Sequence, residues 1–125
     1  LHADWGDNEL YGDSGNDILM GGSGDDRLNG GTGDDLLIGA EGLDRFYLSN
    51  GKDIIQDFQD GQDFLGLPTT INDTPLSFSD LDVIQVGLNT EIRWKLLGLD
   101  DLESQMHVTI LQGIQPSQIT LHDFV

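Results

Sequence analysis

Three series of residues in the first half of the chain step by nine without a slip. Glycine stands at 6, 15, 24, 33, 42 and 51. Asn8, Asp17, Asp26, Asp35, Asp44 and Asp53 follow two places later, and Leu10, Leu19, Leu28, Leu37, Phe46 and Ile55 two places after those. A fixed short period decides an architecture before any local propensity does. The cleanest stretch, Gly12 to Ile38, reads GDSGNDILM, GGSGDDRLN, GGTGDDLLI. Numbering each nonapeptide from its first glycine puts glycine at the first and fourth places, aspartate at the sixth and an apolar residue at the eighth.

Each place has a physical meaning. The first six residues are small and polar and cannot build a core, but glycine lets them turn tightly with carbonyls aimed inward. The last three are strand-like, as in Ile18-Leu19-Met20. So short a strand is unstable alone, but stacked on its copies at about 4.8 Å it forms a ladder. The pattern predicts a solenoid of turn, strand, turn, strand, with two repeats per coil. Leu10, Leu28 and Phe46 then line one sheet, and Leu19, Leu37 and Ile55 the facing one. A disordered linker would share the glycine and aspartate content but not the phased apolar residues.

Such a thin core does not fold on its own. A buried Leu contributes about 1.5–3 kcal/mol, whereas ordering one residue costs about 1–2 kcal/mol. Two repeats per coil also stack Asp17 near Asp35, Asp26 near Asp44 and Asp35 near Asp53, where like charges repel. The bare chain is expected to be disordered. A hard divalent cation between the loops reverses that term. Calcium takes about six to eight oxygens, from carboxylates and backbone carbonyls, and the repeats offer these alone. Magnesium demands tighter geometry and keeps its waters, and zinc wants His or Cys, which the loops lack.

Composition narrows the partners. The net charge is −18 with 5 Lys and Arg, which argues against nucleic acid and anionic membranes and favours cations. There is no cysteine, so a metal is the natural staple for a secreted domain. No apolar run approaches a membrane span, so no integral membrane segment is expected. Leu1 reads as the start of an excised piece of a longer chain. Fifteen of the 23 acidic residues lie in residues 1–63. We therefore divide the chain into a repeat region, 1–58, and a flanking region, 59–125.

The repeats resemble the G-G-x-G-x-D-x-U-x pattern of RTX (hemolysin-type, nonapeptide-repeat) calcium-binding proteins. The resemblance implies an all-β, right-handed parallel β-roll, a β-solenoid of nonapeptide repeats, with a C-terminal β-strand cap. It implies on the order of three to five calcium ions held between same-side loops. Carried over by position, the metal residues are Asn8, Gly12, Ser14, Asp17, Gly21, Ser23, Asp26, Gly30, Thr32, Asp35, Gly39, Glu41, Asp44, Asp53 and Asp63. The ends depart from the pattern. The first repeat has Ala3-Asp4 for the glycine pair and Asn8 for the aspartate. The fifth has Ala40 and Leu43, and the sixth begins Leu48-Ser49 and has Lys52 beside Asp53.

Residues 56–67 resemble the D-x-I-x-D-F-x-x-G-x-D segment that follows RTX blocks, here Asp53, Ile55, Asp57, Phe58, Gly61 and Asp63. One of its carboxylates closes a further calcium site, or the segment is a solvated acidic turn that ends the solenoid. Beyond it, Pro68 to Pro75 reads as a loop. Val83 to Val86 and Thr90 to Leu97 read as strands around Gly87-Leu88-Asn89. The second alternates Ile92, Trp94 and Leu96 against Glu91, Arg93 and Lys95. His107 to Leu111 is another strand, and Ile119 to Val125 packs back. This region reads as the cap an open solenoid requires. Ser77 to Leu81 (S-F-S-D-L) and Asp123-Phe124-Val125 resemble the family's C-terminal segment, which implies type I secretion machinery as a partner.

No catalytic constellation is present. His2, His107 and His122 are scattered, and there is no G-x-S-x-G, H-E-x-x-H or P-loop. Asp100, Asp101 and Glu103 read as a solvated loop. Any catalytic domain would lie upstream of Leu1. The leading expectation is a non-enzymatic, secreted calcium-binding module. It folds on calcium outside the cell and forms the C-terminal, stabilising and secretion-assisting part of a larger protein. The alternatives are an extracellular polysaccharide- or cell-surface-binding module, with Trp5 available to stack on a surface glycan, and the non-catalytic tail of a secreted hydrolase.

Overall fold

The computed structural model describes residues 1–59, 62–66, 82–95, 106–114 and 119. The sequence expectations for Pro68 to Pro75, Ser77 to Leu81, Leu96-Leu97, Asp60, the Asp100 loop, His122 and the last residues lie outside that set, as does the Trp94 side chain. Among the described residues there is no helix. The strands are β1 (Glu9–Tyr11), β2 (Ile18–Ser23), β3 (Arg27–Asn29), β4 (Leu36–Glu41), β5 (Arg45–Tyr47), β6 (Lys52–Ile55), β7 (Phe64–Gly66), β8 (Asp82–Val86), β9 (Asn89–Lys95) and β10 (Met106–Leu111).

Strands β1 to β7 form a solenoid of about three turns, successive strands alternating between two sheets. One sheet runs β1-β3-β5-β7, and the other β2-β4-β6-β10-β9-β8. Pairing within the roll is parallel and in register. Leu10 faces Leu28, which faces Phe46; Leu19 faces Leu37, which faces Ile55. All six eighth-place residues are buried, as the period requires. Leu48, Phe58 and Leu65 join them, with the Phe46 and Phe58 rings tilted at a centroid distance of 6.3 Å.

The two sides of the roll differ. On one, strands are three residues long, and the turns share a single bridge, Ser14 with Thr32. On the other, pairing runs on through Gly22 with Ala40 and Ser23 with Glu41. Glycine weakens a strand, so the stacking of like turns, not strand propensity, carries the pairing there. The outward residues differ too. Even repeats present Ile18, Met20, Leu36, Ile38, Ile54 and Gln56, while odd repeats present Glu9, Tyr11, Arg27, Asn29, Arg45 and Tyr47.

The cap closes one sheet. β10 lies parallel to β6, with Leu111 against Ile55, so Leu111 continues the Leu19-Leu37-Ile55 column. β9 and β8 follow antiparallel, joined by the tight turn at Gly87-Leu88 (φ +64° at Gly87). Glu91 and Arg93 share a face and pair at 2.7 Å. Gly51 N–H donates to His107 Nδ1 at 2.9 Å, tying the cap to the last repeat. At the other end Ala3 N–H donates to Met20 O, and Met20 N–H to Leu1 O, each at 2.9 Å.

The turns stack so closely that the fourth-place glycines with a turn behind them, Gly24, Gly33, Gly42 and Gly51, have no room for a side chain. A Cβ on Gly33 (φ +112°) would run into the Gly15 carbonyl, whereas one on Gly15 (φ +102°) would meet nothing within 4 Å. Both positions carry backbone strain of about 1–3 kcal/mol for alanine, but only Gly33 adds a clash, worth about 1–3 kcal/mol more. Gly33→Ala is therefore expected to lower stability in saturating calcium by more than Gly15→Ala, read from urea unfolding midpoints. Equal losses would contradict the stacked turns.

Candidate metal centre

The turns are held together by two interleaved hydrogen-bond ladders. In the first, a sixth-place carboxylate reaches back one coil. Asp26 Oδ1 accepts Asn8 N–H at 2.8 Å, Asp35 accepts Asp17 N–H at 2.8 Å, Asp44 accepts Asp26 N–H at 3.0 Å and Asp53 accepts Asp35 N–H at 3.0 Å. Asp63 continues it by accepting Asp44 N–H at 2.9 Å across 19 residues instead of 18. In the second ladder a fifth-place side chain reaches forward. Asp7, Asn16, Asp25 and Asp34 accept the N–H groups of Asp25, Asp34, Leu43 and Lys52. The same-side stacking of Asp17, Asp26 and Asp35 on their partners is thus observed, with a hydrogen bond at every step.

The second carboxylate oxygen separates the sites. Oδ2 of Asp17, Asp26, Asp35 and Asp44 is buried and has no hydrogen-bond partner. In each case it lies against the first-place glycine of its own repeat. A Cβ on Gly12, Gly21, Gly30 or Gly39 would press on that oxygen. The fourth-place carbonyls of Gly6, Gly15, Gly24 and Gly33 point along the roll at the next turn's Gly24, Gly33, Gly42 and Gly51. Among the described residues no three His, Cys, Asp or Glu side chains gather into a cage. Any ion here is shared between carboxylates and main-chain carbonyls, an all-oxygen donor set that suits calcium.

Burial disfavours the charged carboxylate. Burial pushes Asp44 up to about 7, with Asp63, Asp26 and Asp57 adding repulsion against the Asp26 N–H bond. Burial likewise raises Asp53 to about 7, against the bonds from Ser49 and Asp35. Asp35 and Asp63 are raised for the same first reason.

The other expected metal residues are placed variously. Ser14, Thr32 and Glu41 are exposed, and Ser23 is half-buried in β2. Asn8 turns its side chain inward, donating from Nδ2 to Gly6 O at 2.8 Å. Asp53 and Asp63 have both oxygens engaged, Oδ2 accepting from Ser49 Oγ at 2.7 Å and from Gln59 N–H at 2.8 Å. Asp57 caps the Gly39 and Ala40 N–H groups at 2.9 and 2.7 Å. The period alone did not single out the fifth-place ladder, although Asp or Asn at that place in the first four repeats was its visible trace. A groove of about 440 Å³ beside the turns is lined by Asp7, Asp25, Arg27, Leu43, Arg45 and Phe64, among others. In it Arg45 Nε is buried without a hydrogen-bond partner.

Comparison with known proteins identifies the repeats. The profile of the RTX calcium-binding nonapeptide repeat matches residues 1–19 and 20–55, in four copies. No curated protein matches the chain. Among solved structures, the AlgE6R2 subunit of the Azotobacter vinelandii mannuronan C5-epimerase is similar, with a TM-score of 0.56 and 21% identity over 94% of this chain and 90% of that one. The AlgE6R3 subunit of the same epimerase aligns with a TM-score of 0.42 and 23% identity over 98% of this chain and 80% of that one. The protein carries a calcium-binding β-roll: its first 55 residues are a block of RTX nonapeptide repeats.

The raised carboxylates fix the sign of a pH effect. A carboxyl whose folded pKa exceeds its unfolded value stabilises the fold below the unfolded value and loses that contribution as pH rises through the folded one. Here the window runs from the ordinary aspartate value of 3.8 up to about 7. In chelator, the chain is expected to gain β-structure as pH falls from about 8 to about 5, the reverse of ordinary acid unfolding. Circular dichroism reads this directly, and a loss of structure over that interval would contradict the burial of these carboxylates in the fold.

Proposed function

We propose that Asp17, Asp26, Asp35 and Asp44, with carbonyls of the glycine turns, hold calcium between stacked loops, and that calcium drives folding of the module outside the cell. The observation that carries this is the set of four buried carboxylate oxygens without a donor. A buried unpaired charge is costly, so the roll is poised between a repelling metal-free chain and a folded one filled by cations. Extracellular calcium modules have dissociation constants of about 10⁻⁴–10⁻³ M, and each filled site adds stability by mass action. The chain then stays extended where calcium is scarce, which suits export, and folds where it is abundant. In this reading residues 1–58 are the responsive roll and 59–125 the closing cap. Together they form the non-catalytic, stabilising and secretion-assisting end of a larger type I-secreted protein.

A calcium titration followed by circular dichroism tests it. The chain is expected to be largely unfolded in chelator at neutral pH and folded near millimolar calcium. Equal structure in both would sink the proposal. Asp35→Ala removes a bare oxygen and a rung of the ladder in mid-roll. It is expected to raise the calcium midpoint more than Asn8→Ala does.

A second reading is extracellular polysaccharide binding. Two features support it: Trp5 is 86% exposed, and Arg45 is a cation lining the groove beside the turns. Trp5 offers a stacking face and Arg45 a partner for a sugar carboxylate. An oligo-uronate titrated against the calcium-loaded protein is expected to bind, and to weaken by roughly tenfold in Trp5→Ala or Arg45→Ala, the scale of one charged hydrogen bond. Absence of binding to the unmodified protein would leave only the first reading.

A further inference from the structure

The aspartates of the backward ladder fall into two sets, and the local chain geometry sorts them. For Asp17, Asp26, Asp35 and Asp44 the residue five places earlier is a glycine, Gly12, Gly21, Gly30 or Gly39. The residue four places earlier has positive φ: Asp13 at 71°, Gly22 at 95°, Gly31 at 88° and Ala40 at 70°. All four carboxylates keep a bare Oδ2. For Asp53 and Asp63 the residue five places earlier is a buried apolar one, Leu48 or Phe58. The residue four places earlier, Ser49 or Gln59, lacks the positive φ. In both, that residue supplies a donor to Oδ2, the Ser49 hydroxyl at 2.7 Å or the Gln59 N–H at 2.8 Å.

We infer that the calcium run of this roll stops at Asp44, and that Ser49 and Gln59 replace the metal in the last two turns. The mechanism is one of space and hand. A first-place glycine leaves a gap against the carboxylate, and the left-handed residue after it gives that oxygen no donor; the Gly31 N–H goes to Asn29 Oδ1 and the Ala40 N–H to Asp57 Oδ2. A buried Leu48 or Phe58 instead draws the chain into the core, and the following residue is then placed to donate. Each of these carboxylates has one oxygen on the ladder and the other on a local donor, so neither needs a cation. The first turn ends the run from the other side. There Asn8 Nδ2 donates to Gly6 O, with a longer contact of 3.4 Å to Trp5 O, so turn carbonyls are met by an amide. The metal-binding stretch is therefore bounded at both ends by hydrogen-bonded turns, and the Ser49–Asp53 turn adjoins β10.

This inference rests on the reading that bare sixth-place carboxylates bind calcium, and two conservative variants separate the claims. Asp53→Asn keeps its Oδ1 acceptor for Asp35 N–H, and its amide can donate to the Ser49 hydroxyl, so the fold is preserved. Calcium stoichiometry is measured by isothermal titration and the folding midpoint by circular dichroism, on the full chain. Asp53→Asn is expected to bind as many calcium ions as the unmodified protein, with a midpoint within about twofold, whereas Asp35→Asn loses calcium and shifts its midpoint by about tenfold or more. If Asp53→Asn loses calcium as Asp35→Asn does, the inference is overturned and the calcium reading stands. If neither variant loses calcium, the calcium reading itself fails.

Discussion

The structure depends on a carboxylate whose two oxygens have different duties. One oxygen accepts a backbone N–H from the preceding coil, in five successive steps from Asn8 to Asp44. Such charge-assisted bonds are stronger than neutral ones, and because each joins residues a full coil apart they set the register of the turns. The other oxygen is buried with no donor in four of the turns. A group in that state opposes folding unless something cationic meets it. The same side chain thus specifies the fold and makes it conditional on its surroundings.

Glycine makes that division possible. The first-place glycines leave the space beside each bare oxygen, and the fourth-place glycines let carbonyls of one turn lie on the Cα atoms of the next. The apolar residues contribute a single column per sheet, closed by Leu65 on one side and by Leu111 on the other. That column is thin because the turns occupy six residues of every nine. Structure and responsiveness come from the same economy of side chains.

The roll itself was legible in the sequence. Doubling a period of nine gives the coil, and from the coil follow which leucines share a sheet and which aspartates share a side. The β8–β9 hairpin and the β10 strand were legible from alternation and from Gly87. The period could not show which oxygen of Asp35 is bonded and which is bare, since both belong to one residue type. Nor could it show that Asp63 continues the ladder, because one extra residue shifts the step to 19. The departure at Leu48-Ser49 read as wear, whereas the structure shows a turn of different hand with its own hydrogen bond. The parallel docking of β10 on β6 was invisible for another reason: a strand's pattern declares its face but not its partner.

The alternation of outward residues has a consequence for how such a chain can lengthen. Odd repeats show polar, charged and tyrosine side chains outside, and even repeats show aliphatic ones apart from Gln56. Duplicating a single nonapeptide would rotate everything after it by half a coil. The aliphatic exterior would then change sides midway, and β10 would meet the wrong sheet. Duplicating a pair preserves both exteriors and the seat of the cap. The heritable unit of this roll is therefore the eighteen-residue coil, although its chemistry repeats every nine.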